Sequence, residues 1–124
     1  MRKAELHDTP TLFAIVHRAA EVCDPDGAED GSSALLARFE DRDEPVGDPA
    51  VAEQEIAEAK GAVDPQDEDP VATMTAAVAT YLAFRRTELD RDRAELLVLA
   101  ARAEFEGKPP EPVAAWLAAQ GVTL

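Results

Sequence analysis

At 124 residues, with 26 acidic against 12 basic side chains and a formal net charge of −14, the chain is sized for one domain and repels anionic partners. Direct binding to nucleic acid or to an anionic membrane surface is disfavoured, and any charged partner is expected to be cationic. A single cysteine, Cys23, allows no intrachain disulfide, and no apolar signal region follows Met1-Arg2-Lys3, so a reducing cytoplasm is the expected location.

The first helix is expected to start at Thr9, as N-cap, with Pro10 in its first turn, where a missing N–H costs nothing. Leu12, Ile15, Val16, Ala19 and Cys23 then share one face, with Phe13 and Val22 at its edges. Asp24-Pro25-Asp26-Gly27 ends it as a turn. A short second helix, capped by Ser32 or Ser33, would bury Leu35, Leu36 and Phe39 and leave Glu40 to Glu44 in water as far as Pro45. Asp48-Pro49 repeats the start signal for a third helix with Ala52, Ile56, Ala59 and Val63 on one face.

Asp69-Pro70 opens the central helix, expected over about residues 70–86. Val71 to Phe84 is a run of fourteen uncharged residues in a chain that is 31% charged. Its apolar residues occupy most of its circumference, which marks a helix enclosed by neighbours. The run is too short for the ~20 residues that span a bilayer. A break is expected near Thr87, with Asp90 or Asp92 capping a fifth helix, because a continuous helix would run to about 36 residues. Ala94, Leu97, Val98, Ala101 and Phe105 form the expected buried stripe of that helix, flanked by Leu96 and Leu99. Gly107 stops it. After Lys108-Pro109-Pro110-Glu111-Pro112, a last short helix would bury Val113, Trp116 and Leu117 and end at Gly121-Val122. Nothing reads as a strand or as an internal repeat, so the expected fold is an all-α, single-domain bundle of five or six helices.

Charge divides this chain unequally. Residues 1–69 hold 19 acids and 6 bases, residues 70–124 hold 7 and 6. The 25 alanines, and 9 arginines against 3 lysines, also fit a coding bias or salt adaptation as the origin of the acidity.

Candidates for chemistry are few. The loop Asp24 to Gly31 offers Asp24, Asp26 and Asp30 to a divalent ion, but its glycines and the missing closing glutamate depart from a helix-loop-helix calcium site. No Glu-x-x-His pair precedes His7 or His17. Glu21 lies one turn after His17 and could pair with it. Cys23 sits about 240° round the helix from His17, so the two do not form a nucleophile pair, and no glycine-flanked elbow surrounds Ser32 or Ser33. No phosphate-binding glycine loop occurs, so no cofactor is implied. Arg85, Arg86, Arg91 and Arg93 form a basic cluster that either pairs with Glu88, Asp90 and Asp92 or meets an anionic patch; Trp116, Phe13 and Phe84 are further candidate contact residues. The sequence points to a non-catalytic protein-interaction or regulatory module, plausible as a homodimer. The alternatives are an acidic decoy for a basic protein, such as one that binds nucleic acid, and a divalent-metal enzyme or sensor built on the Asp24–Asp30 loop.

Overall fold

A computed structural model describes residues 10–124. Six α-helices follow one another: α1 Leu12–Cys23, α2 Asp30–Ala37, α3 Pro49–Val63, α4 Pro70–Phe84, α5 Arg93–Phe105 and α6 Glu111–Ala119, with a single 3₁₀ turn at Arg86–Glu88. Among the described residues there is no strand, only an isolated bridge between Thr11 and Pro45 that ties the start of α1 to the loop before α3. None of these helices is long and apolar enough to cross a membrane.

Local chemistry explains most of the boundaries. Asp48 and Asp69 cap α3 and α4, each accepting from N–H groups of the first turn, with Pro49 and Pro70 placed where no donor is lost. The expected break after α4 is real: Arg85 leaves helical geometry, and Asp92, not Asp90, caps α5 by accepting from the Ala94 N–H at 3.1 Å. At the C-terminus Gly121 takes φ +77°, Gly121 N–H bonds Ala118 and Val122 N–H bonds Leu117. That pairing closes the last two free carbonyl turns of α6 and buries Val122.

Three expected boundaries move. Thr9 lies outside the described residues, and the cap of α1 is Thr11, whose hydroxyl accepts from Ala14 N–H at 3.0 Å; Pro10 therefore precedes the helix. Ser32 and Ser33 lie within α2, which starts at Asp30 without a side-chain cap, after a loop in which Asp24 accepts from the Ala28 and Glu29 N–H groups. The second helix also ends at Ala37, well before Pro45, and Arg42 turns back to pair with Glu55 at 2.9 Å.

α4 is the organising element and contacts every other helix. Nine of its residues are buried, among them Met74, Thr75, Val78 and Leu82 at 0% exposure. Thr75 is the polar exception, and its hydroxyl is satisfied by donating to the Val71 carbonyl at 2.7 Å. Helices α1, α3 and α5 lie along α4, with α2 and α6 completing the cover. On α5 the buried face is Leu96, Leu97, Ala100 and Ala101, rotated from the expected stripe so that Ala94 is exposed and Val98 only partly covered.

Gly31 shows how tightly α2 meets α4. A Cβ there would collide with the Asp69 carboxylate and touch the Ala72 Cβ at 3.2 Å. Because Asp69 is held in place by its cap bonds to Val71 and Ala72, Gly31→Ala is expected to break the α4 cap and cost about 1–2 kcal/mol, read as a fall in urea midpoint. An unchanged midpoint would show that the two helices separate freely.

Candidate functional site

Most of the residues singled out by sequence turn out to hold the fold. Asp24 is only 9% exposed, and its carboxylate accepts three hydrogen bonds, from Ala28 N–H (3.0 Å), Glu29 N–H (2.9 Å) and Ser32 Oγ (2.7 Å). Burial alone would raise its pKa; the Ser32 hydroxyl and the Glu29, Ala28 and Gly27 amides outweigh it and hold the carboxyl below the usual range. Asp26 and Asp30 are exposed. Among the described residues no three His, Cys, Asp or Glu side chains are grouped so as to hold a metal ion.

The same loop is built a second time, forty residues later, a repeat that the sequence reading missed. Asp64, also followed by proline, leaves α3 with φ −141° and ψ 67°, as Asp24 leaves α1 with φ −145° and ψ 68°. Asp64 accepts from Glu68 N–H at 3.1 Å and Asp69 N–H at 3.0 Å, the counterparts of Ala28 and Glu29. Gly27 and Asp67 occupy the matching positive-φ positions, at 65° and 55°. Lys60 joins the second loop, bridging Asp64 at 3.1 Å and Asp67. The signal was present as Asp-Pro at 24–25 and 64–65, but the residues around these pairs differ enough to hide it.

The arginine cluster is dispersed by the fold. Arg86 donates to the Val46 and Gly47 carbonyls, and Arg93 to the Val22 carbonyl near the end of α1 and to Gln120 at 2.8 Å. Arg91 pairs with Glu88 at 3.0 Å and Glu95 at 3.1 Å, and Arg85 is exposed. Arg18, not noticed in sequence, donates to the carbonyls of Leu89 and Arg91. Guanidinium groups thus serve as long-range caps for loop and helix-end carbonyls. Glu21 pairs with Arg18 at 3.6 Å and not with His17, whose ring lies 5.6 Å from that of Phe13. Trp116 is half-buried against the core.

Cys23 is buried within the core, and desolvation pushes its thiol up to about 12, against weaker lowering influences from Thr75 and Arg93. The folded protein is therefore expected to resist iodoacetamide at pH 8 and to react only once unfolded by denaturant. Full labelling of the native protein within minutes would place the thiol at the surface.

What remains open is a groove. α4 is only partly covered along Thr73, Ala76 and Thr80, which are half-buried, and Phe84, which is 50% exposed, at positions i, i+3, i+7 and i+11. One end of the groove, about 290 Å³, is lined by apolar Ile56, Ala76, Ala77, Phe105 and Val113. It continues into a hollow of about 380 Å³ reaching Tyr81, Phe84 and Arg85. Glu53 on α3, Glu104 on α5, and Ala77 and Thr80 on α4 line both. Across the two, five carboxylates (Glu53, Asp67, Glu68, Asp69 and Glu104) face two cations, Lys60 and Arg85, and Lys60 is already engaged by Asp64 and Asp67. Of these lining residues, sequence reasoning had singled out only Phe84 and Arg85 for contact; Glu53 and Glu104 lie on different helices and carry no local signal.

Compared with known proteins, the chain matches no family model, no curated protein and no solved structure.

Proposed function

We propose that this protein is a non-catalytic helical module that acts by binding a cationic protein partner. The observation that carries the reading is the partly covered outer face of α4, apolar and rimmed by carboxylates on both sides, in a molecule of net charge −14. Its buried ionisable groups support the reading indirectly: Asp24 is taken up by backbone amides and a hydroxyl, and Cys23 is a shielded thiol, so neither is available to a reacting substrate. A divalent-metal enzyme draws no support from Asp26 and Asp30, which are exposed, or from Asp24, whose carboxylate is already taken up by the loop.

A homodimer is the less favoured reading: five helices of the same chain meet most of the apolar surface of α4, and the strip that stays open is rimmed by carboxylates that a second copy would also bring. Two chains of this charge also repel. Light scattering at micromolar concentration is expected to return a monomer. The binding reading is tested by immobilising the protein and challenging it with purified basic and acidic proteins of similar size. Basic proteins should be retained at low ionic strength and released as salt is raised; equal retention of acidic ones, or retention indifferent to salt, overturns it.

A further inference from the structure

Resting on that reading, we infer that the groove over α4 takes a single amphipathic helix with a narrow apolar stripe and lysine or arginine on both flanks. The floor fixes the shape of the occupant. Thr73, Ala76 and Thr80 are small and half-buried, so a backbone can lie close to α4, while half-buried Phe105 at one end and Tyr81 and exposed Phe84 at the other are the apolar side chains that bulky anchors can meet; Ile56 and Val113 are buried. That spacing along one helix suits anchors at i, i+3 or i+4, and i+7 of the incoming helix. An extended strand is not favoured, because every element bordering the groove is helical and no sheet edge is there to pair with it.

The walls fix its charge. Glu53 and Glu104 are exposed, stand on opposite helices and border the groove along both of its parts, so a cation on either flank of the seated helix meets a carboxylate. Asp67 and Glu68 add negative charge at the closed end, where Lys60 is already bound. A second copy of this chain is a poor occupant for the same reason: none of its described α-helices carries an excess of basic residues, and together they hold eight acids against four bases. An anionic ligand would find only Arg85, at the far end.

The test uses the full chain and a designed fluorescent peptide of about 18 residues, helical, with leucine and alanine along one stripe and lysine on both flanks. Two double variants carry the same change in net charge, Glu53→Lys with Glu104→Lys in the walls, and Glu40→Lys with Asp43→Lys on the remote exposed loop. Circular dichroism first confirms that each is folded. The wall variant is expected to lose about tenfold or more in affinity and the remote variant to lose little, while amide resonances of Thr73, Ala76, Thr80 and Phe84 shift on titration. A matched peptide with glutamate in place of lysine should not bind. Equal weakening by both variants, or shifts confined to the surface outside the groove, overturns the groove as the site while leaving a basic partner in place. No binding of the lysine peptide, although the immobilised protein still retains basic proteins, overturns the amphipathic helix as occupant.

Discussion

Val78→Asp is expected to leave no cooperatively folded protein at 25 °C. Val78 is fully buried at the centre of α4, the helix against which all the others rest. A carboxylate there finds no cation, because the residues around it are apolar or small, and a buried unpaired charge costs several kcal/mol. Set against a total stability of about 5–15 kcal/mol for a domain, that cost is decisive. Far-UV circular dichroism should show most of the helix signal gone and no sigmoidal melt. Val78→Thr separates charge from shape: its hydroxyl can donate to the carbonyl four residues back, as Thr75 does to Val71, so it should stay folded and lose about 1 kcal/mol. A cooperative melt for the aspartate variant would mean that α4 is not the core.

The second large effect belongs to the loop after α1. Asp24→Asn keeps the shape but places an amide donor where two N–H groups and a hydroxyl now donate, so it is expected to cost about 2 kcal/mol at neutral pH. The pH dependence has a definite sign. The carboxyls of Asp24 and Asp64 are held below the ordinary aspartate value in the folded state, in each case against the opposing pull of burial. Their stabilisation is therefore fully present above the unfolded pKa of about 3.9 and is lost as pH falls through the folded pKa. The gap in urea midpoint between the natural protein and Asp24→Asn should be level from pH 5 to pH 8, and it should start to narrow below about pH 4, where Asp24 of the unfolded chain takes up its proton. Asp26→Asn, in the same loop but exposed, removes one negative charge as well and should change stability by less than about 0.5 kcal/mol. A gap that widened in acid would show that Asp24 is not the group being protonated.

Legibility in the sequence followed the range of the interaction. Helix starts are declared by neighbours, so Asp48-Pro49 and Asp69-Pro70 marked α3 and α4 directly, and Gly121-Val122 marked the end of α6. The apolar stripe of α1 was equally plain because Leu12, Ile15, Val16 and Ala19 are all buried on one side of the helix. Errors arose where two local signals competed or where a distant group decided. Thr9-Pro10 pointed to a cap two residues early; the cap is Thr11, and residues 10–13 are tied to Arg42 and Val46 across the fold. On α5, apolar residues surround much of the helix, so periodicity could not say which part faces α4. For the arginines the sequence showed a local partner, Glu88 for Arg91, but not the distant ones. Arg93 reaches Val22 across 71 residues of sequence and Arg86 reaches Val46 across 40, and no local pattern encodes a carbonyl that the fold brings near. The groove belongs to this class: Glu53 and Glu104 become neighbours of one channel only after α3 and α5 have docked on either side of α4.

The position of α4 in the chain also orders events during synthesis. Helices α1 and α3 find their main apolar partner, α4, in a segment that comes after them, and α2 meets it as closely as it meets α1, so a nascent chain ending at residue 69 lacks the helix that the first three share. Only when Phe84 has emerged from the ribosome can the first three helices close around a common axis, and α5 and α6 then seal the remaining sides. The acidic first half, with 19 carboxylates against 6 cations, keeps that waiting chain dissolved through its own repulsion.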